Sequence, residues 1–389
     1  MTRLFTAAEM SAPVSQLPPA AYFDAALLQR ERELLFGRHN GSAAGPGYAG
    51  HELMVPNVGD YAVLASRSNA QALTRTLRAD SADRASGGVN LISNICRHRQ
   101  AMMLDGRGSL KGNGGNVVCP LHRWTYSGEG QLIGAPHFPC NPALNLRNSQ
   151  LKAWNGLLFD GPSNPTVDLA ALSTQTRQSL DFSGYVFDRA VVHECNYNWK
   201  TFVEVYLEDY HVGPFHPGLG QFVSCDDLAW EWGKEFSVQT VGLSRGFDQP
   251  GSATYKRWHD AVTKFRQGVP PPHGAIWLTY YPNITVEWYP HTLVVSSLWP
   301  QAVDKTINVV EFYYADEVAL FEREFIEAQQ AAYMETCAED DEIALRMDAG
   351  RKALVEQGRI EVGPYQSPME DGMQHFHEWY RGKLAGEPI

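Results

Sequence analysis

The spacing of hydrophobic and polar residues divides the chain into three stretches. Residues 21–38 alternate between a charged face and an apolar face, which is typical of an amphipathic helix. From about residue 53 to residue 160 the apolar runs are short and broken by Gly, Asn and Pro, a pattern that predicts small antiparallel sheets. Further on, 276–298 predicts two strands joined by a turn, and 316–357 predicts an almost continuous helix.

These stretches predict an α+β protein with a small antiparallel β domain and a larger antiparallel sheet covered by helices. The domain boundaries follow the change of pattern. We expect an N-terminal helical segment over 1–45 that packs on the larger domain, the small β domain over 46–160, and the larger domain over 161–389.

Composition and charge exclude several classes of protein. The 389 residues contain 32 Lys and Arg against 44 Asp and Glu, a net charge of −12. This charge argues against a general nucleic-acid binder and against a surface drawn to anionic lipid. The sequence has no run of 18 apolar residues and no apolar stretch of a signal peptide near its start. We therefore expect a cytoplasmic protein with neither nucleic acid nor membrane as a partner.

Two short motifs each pair a cysteine with a histidine. CRH contains Cys96 and His98, and CPLH contains Cys119 and His122. A structural zinc site more often groups its cysteines as one pair and its histidines as another. A Rieske [2Fe–2S] centre instead binds one iron through two Cys and the other through two His, and the neutral imidazoles raise its reduction potential. Two loops that each supply one Cys and one His favour the Rieske cluster; a zinc site and unrelated core cysteines are the alternatives.

A second candidate metal site lies about 90 residues downstream. His211 and His216 are five residues apart, which on one straight helix would point them about 140° away from each other. Gly213 and Pro214 intervene, so we expect the helical pattern of 198–212 to stop and the chain to turn His216 back beside His211. Two histidines and one carboxylate on one face of Fe(II) leave positions open for oxygen and substrate.

The carboxylate must come from elsewhere in the chain, and the long C-terminal helix offers three adjacent acids. Asp340 shares a helix face with apolar residues, whereas Glu339 shares the charged face and Asp341 a mixed face. Asp340 is therefore the first choice as ligand, with Asp341 as the alternative. Three residues before His211, Glu208 can hydrogen-bond the ring of that histidine, while Asp209 fits an ordinary solvated acid.

The amino-acid sequence around both sites resembles that of the Rieske non-haem iron oxygenases, the ring-hydroxylating family. The similarity covers CRHRQ and CPLHRWTYSGEGQLIGAP in the small domain and NWKTFVEVYLEDYHVGPFH in the larger one. It implies a Rieske domain over 46–160, a mononuclear iron catalytic domain over 161–389, and a [2Fe–2S] cluster that feeds electrons to Fe(II). The family's acidic pair also favours Asp340. One departure is Val205, where many members have Asn.

The same resemblance implies the partners of the chain. Electrons would come from a separate NAD(P)H reductase, directly or through a ferredoxin, because no flavin or NAD motif is found in the sequence. In the family, the carboxylate at the place of Glu208 bridges to a Rieske histidine of the neighbouring subunit, which implies a homotrimer. Glu208 itself, where many members have Asp, matches members that demethylate quaternary ammonium compounds.

Several functions are compatible with this reading. The first is hydroxylation of an organic, aromatic substrate by O2, as in aromatic hydrocarbon catabolism. The second is oxidative N- or O-demethylation of a methylated amine or methoxy compound, because aromatic walls also suit a trimethylammonium group. The third is an electron carrier without oxygenase activity. Nine aromatic residues are candidates for core or cavity walls: Phe215, Phe222, Trp230, Trp232, Trp277, Tyr280, Tyr281, Trp288 and Tyr289.

Overall fold

The structure, a computed structural model, folds into two units and describes residues 15–36, 45–77, 88–245, 247 and 249–385. The smaller unit comprises Pro46–Val167. The larger comprises the chain from Asp168 onward together with the described N-terminal residues up to Gly45. Antiparallel sheets occur in both units and long helices in the larger one, which confirms the predicted α+β class. None of the described helices has the length and apolar character needed to cross a lipid bilayer.

Short antiparallel strands build the smaller unit. Its sheets have the orders β5-β2-β3-β4-β9, β1-β11-β10 and β6-β7-β8. The strands are short because Gly, Asn and Pro interrupt the apolar runs. They are β1 Tyr48–His51, β2 Asp60–Val63, β3 Gln71–Arg75, β4 Val89–Ser93, β5 Arg107–Ser109, β6 Val117–Val118, β7 Thr125–Tyr126, β8 Leu132–Gly134, β9 Asn148–Ser149, β10 Lys152–Trp154 and β11 Leu157–Phe159.

One seven-stranded antiparallel sheet forms the centre of the larger unit, in the order β12-β18-β17-β16-β15-β14-β13. Nearly every residue of the central strands is buried, whereas most residues of the edge strands β12 and β13 are exposed or half-buried. Central strands that are covered on both faces read as continuous apolar runs. The strands are β12 Tyr185–Cys195, β13 Val223–Trp232, β14 Phe236–Leu243, β15 Ala275–Tyr280, β16 Ile284–Tyr289, β17 Thr292–Ala302 and β18 Lys305–Ala315.

The prediction of two strands over 276–298 is wrong, because this stretch contributes to three strands, β15, β16 and β17. Two short turns, at 281–283 and 290–291, separate them. Since both faces of these strands are buried, no alternation of polar and apolar residues marks the second turn.

The helices are shorter and more numerous than the periodicity predicts. Asp24 ends the first helix and caps the second, where its carboxylate accepts from the amides of Ala26 and Leu27 at 2.8 and 3.1 Å. Residues 37–38 of the predicted first helix lie outside the described residues. The helices are α1 Ala20–Phe23, α2 Ala25–Glu31, α3 Pro165–Asp168, α4 Thr174–Ser179, α5 Trp199–Tyr206, α6 Val212–Phe215, α7 Leu219–Phe222, α8 Ala253–Phe265, α9 Asp316–Phe321, α10 Arg323–Glu356 and α11 Asp371–Ala385.

Helix α5 is fixed to its neighbours by buried charge. Lys200 on α5 and Glu31 on α2 are 1% and 0% exposed, and their Nζ and Oε1 atoms are 2.6 Å apart. The other oxygen of Glu31 accepts from the Trp199 indole at 2.8 Å, and the Tyr380 hydroxyl on α11 also donates to this carboxylate. A buried ion pair of this kind is stable only when its remaining atoms are hydrogen-bonded. The network therefore joins α2, α5 and α11 at one point.

We predict that Lys200→Met will lower the free energy of unfolding by about 3–5 kcal/mol, because it leaves the Glu31 carboxylate buried without a cation. The double variant Lys200→Met/Glu31→Gln should recover much of this loss. Lys305→Met, which breaks an exposed ion pair with Glu194, is the control and should cost less than about 1 kcal/mol. Urea unfolding of the three variants measures the difference, and equal losses for Lys200→Met and Lys305→Met would refute the account.

Candidate active site

Two loops of the smaller unit place the four predicted cluster ligands close together. In each loop the amide of the cysteine donates to the carbonyl five residues on, at 2.9 Å for Cys96 and 2.8 Å for Cys119. The fourth residue after each cysteine, Gln100 or Arg123, has a φ of 55° or 58°. The two loops thus have the same backbone turn, although the histidine follows the cysteine after one residue in the first loop and after two in the second.

Sulfur lies inside these loops and imidazole lies towards the solvent. Cys96 and Cys119 are 1% and 2% exposed, whereas His122 is exposed and its ring centroid lies 4.7 Å from that of His98. The Tyr126 hydroxyl lies 3.5 Å from the Cys96 sulfur. Burial raises the pKa of Cys96, but hydrogen bonds from Tyr126, backbone amides and Cys119 outweigh burial and lower it. A pair of buried cysteines beside a pair of imidazoles fits a [2Fe–2S] cluster.

In the larger unit, the predicted turn between His211 and His216 has a different structure from the one expected. Helix α5 ends at Tyr206, earlier than the pattern of 198–212 predicts, but α6 forms a further helical turn over Val212–Phe215. Pro214 is tolerated there because it lies in the first turn, where its missing N–H is not needed. His211 and His216 flank this turn, so their rings converge with centroids 4.8 Å apart.

Asp340 on α10 completes a triangle of ligand atoms with the two histidines. Its Oδ1 lies 3.0 Å from His216 Nε2 and 3.4 Å from His211 Nε2, and the two Nε2 atoms are 2.9 Å apart. Ligands at about 2.1 Å from one metal and at right angles are separated by about 3.0 Å. The three atoms therefore fit one face of an iron ion, and their role as its ligands remains our prediction.

The outer nitrogen of each histidine faces a second carboxylate. His211 Nδ1 lies 2.5 Å from Glu208, and His216 Nδ1 lies 2.7 Å from Glu339. Burial lowers the pKa of both imidazoles, but Asp340 and these acids outweigh burial and raise it, for His211 to about 10. A carboxylate on Nδ1 fixes the tautomer that presents Nε2 to a metal. The sequence predicts that Glu339 lies on the charged face of the helix, but in the structure its carboxylate contacts His216.

Asp341, the alternative ligand, belongs to a different group of side chains. Its carboxylate lies 2.7 Å from His193 Nε2 and accepts from the Tyr197 hydroxyl at 2.7 Å. Cys195 lies beside the same histidine, with 3.6 Å between Sγ and Nδ1. Since neighbouring residues of a helix point about 100° apart, Asp341 faces β12 while Asp340 faces the two histidines.

A cavity that is partly open to solvent adjoins the His211, His216 and Asp340 group. Val205, which stands where many members of the family have Asn, is buried and lines this cavity. Of the nine aromatic residues considered from the sequence, Trp277 and Tyr289 are in its described lining. The described lining also includes six aromatic residues that were not among those nine: Tyr197, Phe202, Tyr206, Tyr255, Trp258 and Tyr333.

Two further acids line this cavity. Asp209 is 2% exposed, so its assignment as a solvated acid was wrong. Glu287 on β16 is 1% exposed and escaped the sequence analysis, although a lone acid in the apolar strand ITVEWY was an available signal. Its carboxylate accepts from the hydroxyls of Tyr289 and Tyr333, each at 2.9 Å. Burial raises the pKa of Glu287 to about 7 despite these hydrogen bonds.

Comparison with known proteins identifies both units by family. Residues 58–153 match the Rieske [2Fe-2S] domain, and residues 182–386 match the catalytic domain of the ring hydroxylating alpha subunit. These families carry a Rieske cluster and a mononuclear iron site, the two cofactors that the sequence predicts.

Relatives of known activity cover almost the whole chain. A putrescine 2-hydroxylase of Ralstonia nicotianae is 60% identical, over 98% of this chain and 99% of its own length. A putrescine 2-hydroxylase of Bordetella bronchiseptica is 55% identical, over 96% of this chain and 85% of its own length. The quaternary ammonium Rieske monooxygenase CntA, solved with an inhibitor, has the same fold, with a TM-score of 0.74 at 16% identity over 98% of this chain and 99% of that one.

We predict that His211→Ala will lower the iron content from about three to about two ions per chain, since the cluster holds two and the mononuclear site one. The visible spectrum of the cluster should remain while oxygen-dependent turnover is lost. Cys96→Ala is the matched control and should remove that spectrum. Loss of the spectrum in His211→Ala would contradict two separate sites.

A second prediction concerns Glu287 and pH. Below its ordinary pKa of 4.5 the carboxyl is protonated in both the folded and the unfolded state. Between pH 4.5 and about 7 only the unfolded state loses the proton, so the folded state is destabilised, by up to about 3 kcal/mol. Glu287→Gln should therefore raise the unfolding temperature more at pH 8 than at pH 5. Glu342→Gln on the exposed side of α10 is the control, and an equal gain at both pH values would show that Glu287 is not destabilising.

Proposed function

The chain belongs to the ring-hydroxylating alpha subunit family of Rieske oxygenases, and on that basis we propose that it hydroxylates a short aliphatic diamine, putrescine, at carbon 2. It is an oxygenase that uses O2 and electrons from a partner reductase. The choice of substrate rests on the identity to two putrescine 2-hydroxylases and on the charge of the cavity.

The cavity charge is the observation that carries the proposal. Four acids line it, and none of its described lining residues is Lys or Arg. A low-dielectric cavity with this charge favours a cation and disfavours an aromatic acid. The expectation of an aromatic substrate has no support from the 60% and 55% identical relatives, so we replace it with a cationic alkylamine.

The reaction balances as a monooxygenation. A C–H bond of 1,4-diaminobutane breaks and a C–O bond forms. One atom of O2 enters the product, and the other leaves as water. Water formation requires two electrons and two protons: NAD(P)H supplies both electrons and one proton, and the solution supplies the second proton. No methyl group leaves, so formaldehyde is not a product.

Each group near the proposed iron has a separate task. His211, His216 and Asp340 would hold Fe(II), which when bound supplies the redox chemistry that reduces O2. Glu339 contacts His216 Nδ1 and Glu208 lies 2.5 Å from His211 Nδ1, and these carboxylates would keep both Nε2 atoms available. The rings of Trp258, Trp277 and their neighbours exclude water around the substrate methylenes.

Electron delivery would run through the cluster of Cys96, His98, Cys119 and His122. We expect the chain to assemble as a homotrimer in which Glu208 connects His211 to the cluster of the neighbouring subunit. The exposed ring of His122 supports this route, because an electron acceptor needs an accessible edge. Glu208 also accepts from the backbone amide of His211 at 3.0 Å, which keeps it beside that histidine.

The test is turnover of purified, iron-loaded protein with a surrogate Rieske reductase and NADH. We expect 1,4-diaminobutane to drive equal consumption of NADH and O2 and to gain 16 mass units, with the hydroxyl on carbon 2. Carnitine, choline and an aromatic acid serve as parallel substrates. Formaldehyde release from a methylated amine, or hydroxylation of the aromatic acid with no turnover of the diamine, would overturn the proposal.

A further inference from the structure

Two of the four cavity acids have no positive partner once the metal site is accounted for. Asp340 faces His211 and His216, and Glu208 contacts His211 Nδ1. Asp209 and Glu287 remain, and both are almost completely buried. A buried carboxylate without a cation is costly. The number of such acids equals the number of ammonium groups in a diamine.

Glu287 has the surroundings of a cation-binding carboxylate. Its hydrogen bonds come from the hydroxyls of Thr285, Tyr289 and Tyr333, at 3.1, 2.9 and 2.9 Å. These donors orient the carboxylate but carry no charge to neutralise it. The rings of both tyrosines line the cavity, so an ammonium group there would meet a carboxylate and aromatic faces together.

Asp209 presents an unused oxygen. Its Oδ2 is buried and has no hydrogen-bond partner among the described residues. The nearby charged groups that act on it are Glu208 and His211. Buried polar atoms are nearly always hydrogen-bonded in folded proteins. An unsatisfied carboxylate oxygen in the wall of a cavity therefore indicates that a donor from the ligand completes it.

Tyr206 connects the two acids electrostatically. Burial raises the pKa of its hydroxyl, and both Glu287 and Asp209 raise it further. The ring of Tyr206 lines the same cavity. Both carboxylates thus act on one region of the cavity, next to the proposed iron ligands.

We propose that Glu287 and Asp209 each bind one ammonium group of a diamine and so set the substrate specificity of the enzyme. This inference rests on the proposed function. Two fixed charges at a set separation select the length of the carbon chain and hold it in one position beside the metal group. A monoamine leaves one of the two acids without a cation, and the site then rejects it because a buried charge stays unpaired.

The experiment compares wild type with Glu287→Gln and Asp209→Asn on 1,4-diaminobutane and butan-1-amine. We expect each variant to raise the KM for the diamine about 10- to 100-fold, the effect of one lost charge-assisted hydrogen bond. The preference for diamine over monoamine should fall by a similar factor. The control is Glu311→Gln, a buried acid of β18 that accepts from Tyr313 at 2.6 Å and lies outside the described cavity lining. The KM of Glu311→Gln for 1,4-diaminobutane should stay within about twofold of the wild-type value.

Because Asp209 is near His211, each variant must keep its cluster spectrum and about three iron ions per chain. Glu287→Asp is a second variant that preserves charge and shortens the side chain by one methylene. We expect it to shift the preference towards 1,5-diaminopentane, which a merely structural role of Glu287 would not do. Wild-type KM values in both Glu287→Gln and Asp209→Asn, or no shift in Glu287→Asp, would overturn the inference.

Calorimetric binding of 1,4-diaminobutane separates this inference from the proposed function. If wild type binds the diamine without hydroxylating it, and the two variants lose binding, the proposed function fails and the inference stands. If wild type hydroxylates the diamine and the variants bind it equally well, the inference fails and the proposed function stands.

Discussion

Buried negative charge is the constraint on which this structure depends. Three acids, Glu208, Glu339 and Asp340, surround two imidazoles, and two more acids line the adjoining cavity. In a medium of low dielectric constant such a group is unfavourable until cations enter it. Under the proposed function, a divalent metal ion would compensate the first set of acids, and a cationic substrate would compensate the second. The protein chain therefore supplies an excess of negative charge, and its ligands complete the balance.

Around the site, buried acids are instead paired with Lys and Arg side chains of the protein itself. On helix α5, Lys200 is paired with Glu31, and Glu204 is paired with Arg351 at 2.6 Å. Glu204 also lies 2.7 Å from His377. Burial raises the pKa of Glu204, but Arg351, His377 and the Tyr22 hydroxyl together outweigh burial and lower it to about 2. These pairs fix the helix whose end leads to His211. The buried acids around helix α5 are thus paired with cations of the protein, whereas the two acids of the neighbouring cavity are not. Such a division between stability and function is common in enzymes.

The sequence allowed predictions for residues whose chemistry depends on local spacing. Cys96, His98, Cys119 and His122 could be grouped because each motif supplies one ligand of either type, and helical phase favoured Asp340 over Asp341. The α+β class followed from the change of periodicity near residue 160. The strand count failed where β16 and β17 are buried on both faces, because polar alternation disappears there. Asp209 could not be assigned, since its burial arises from elements far apart in the chain, whereas the signal for Glu287 was a lone acid in an apolar strand.

The chemistry of the cavity also bears on which cation it selects. A primary ammonium group has three N–H donors and can satisfy a carboxylate and a tyrosine hydroxyl at the same time. A trimethylammonium group has none, so it would leave Asp209 Oδ2 without a hydrogen bond. The shared fold with a quaternary ammonium monooxygenase therefore does not require a shared substrate. Aromatic walls attract either cation, whereas buried acceptors that lack donors favour the one that carries N–H groups, so under the proposed function the acids rather than the rings would determine the choice.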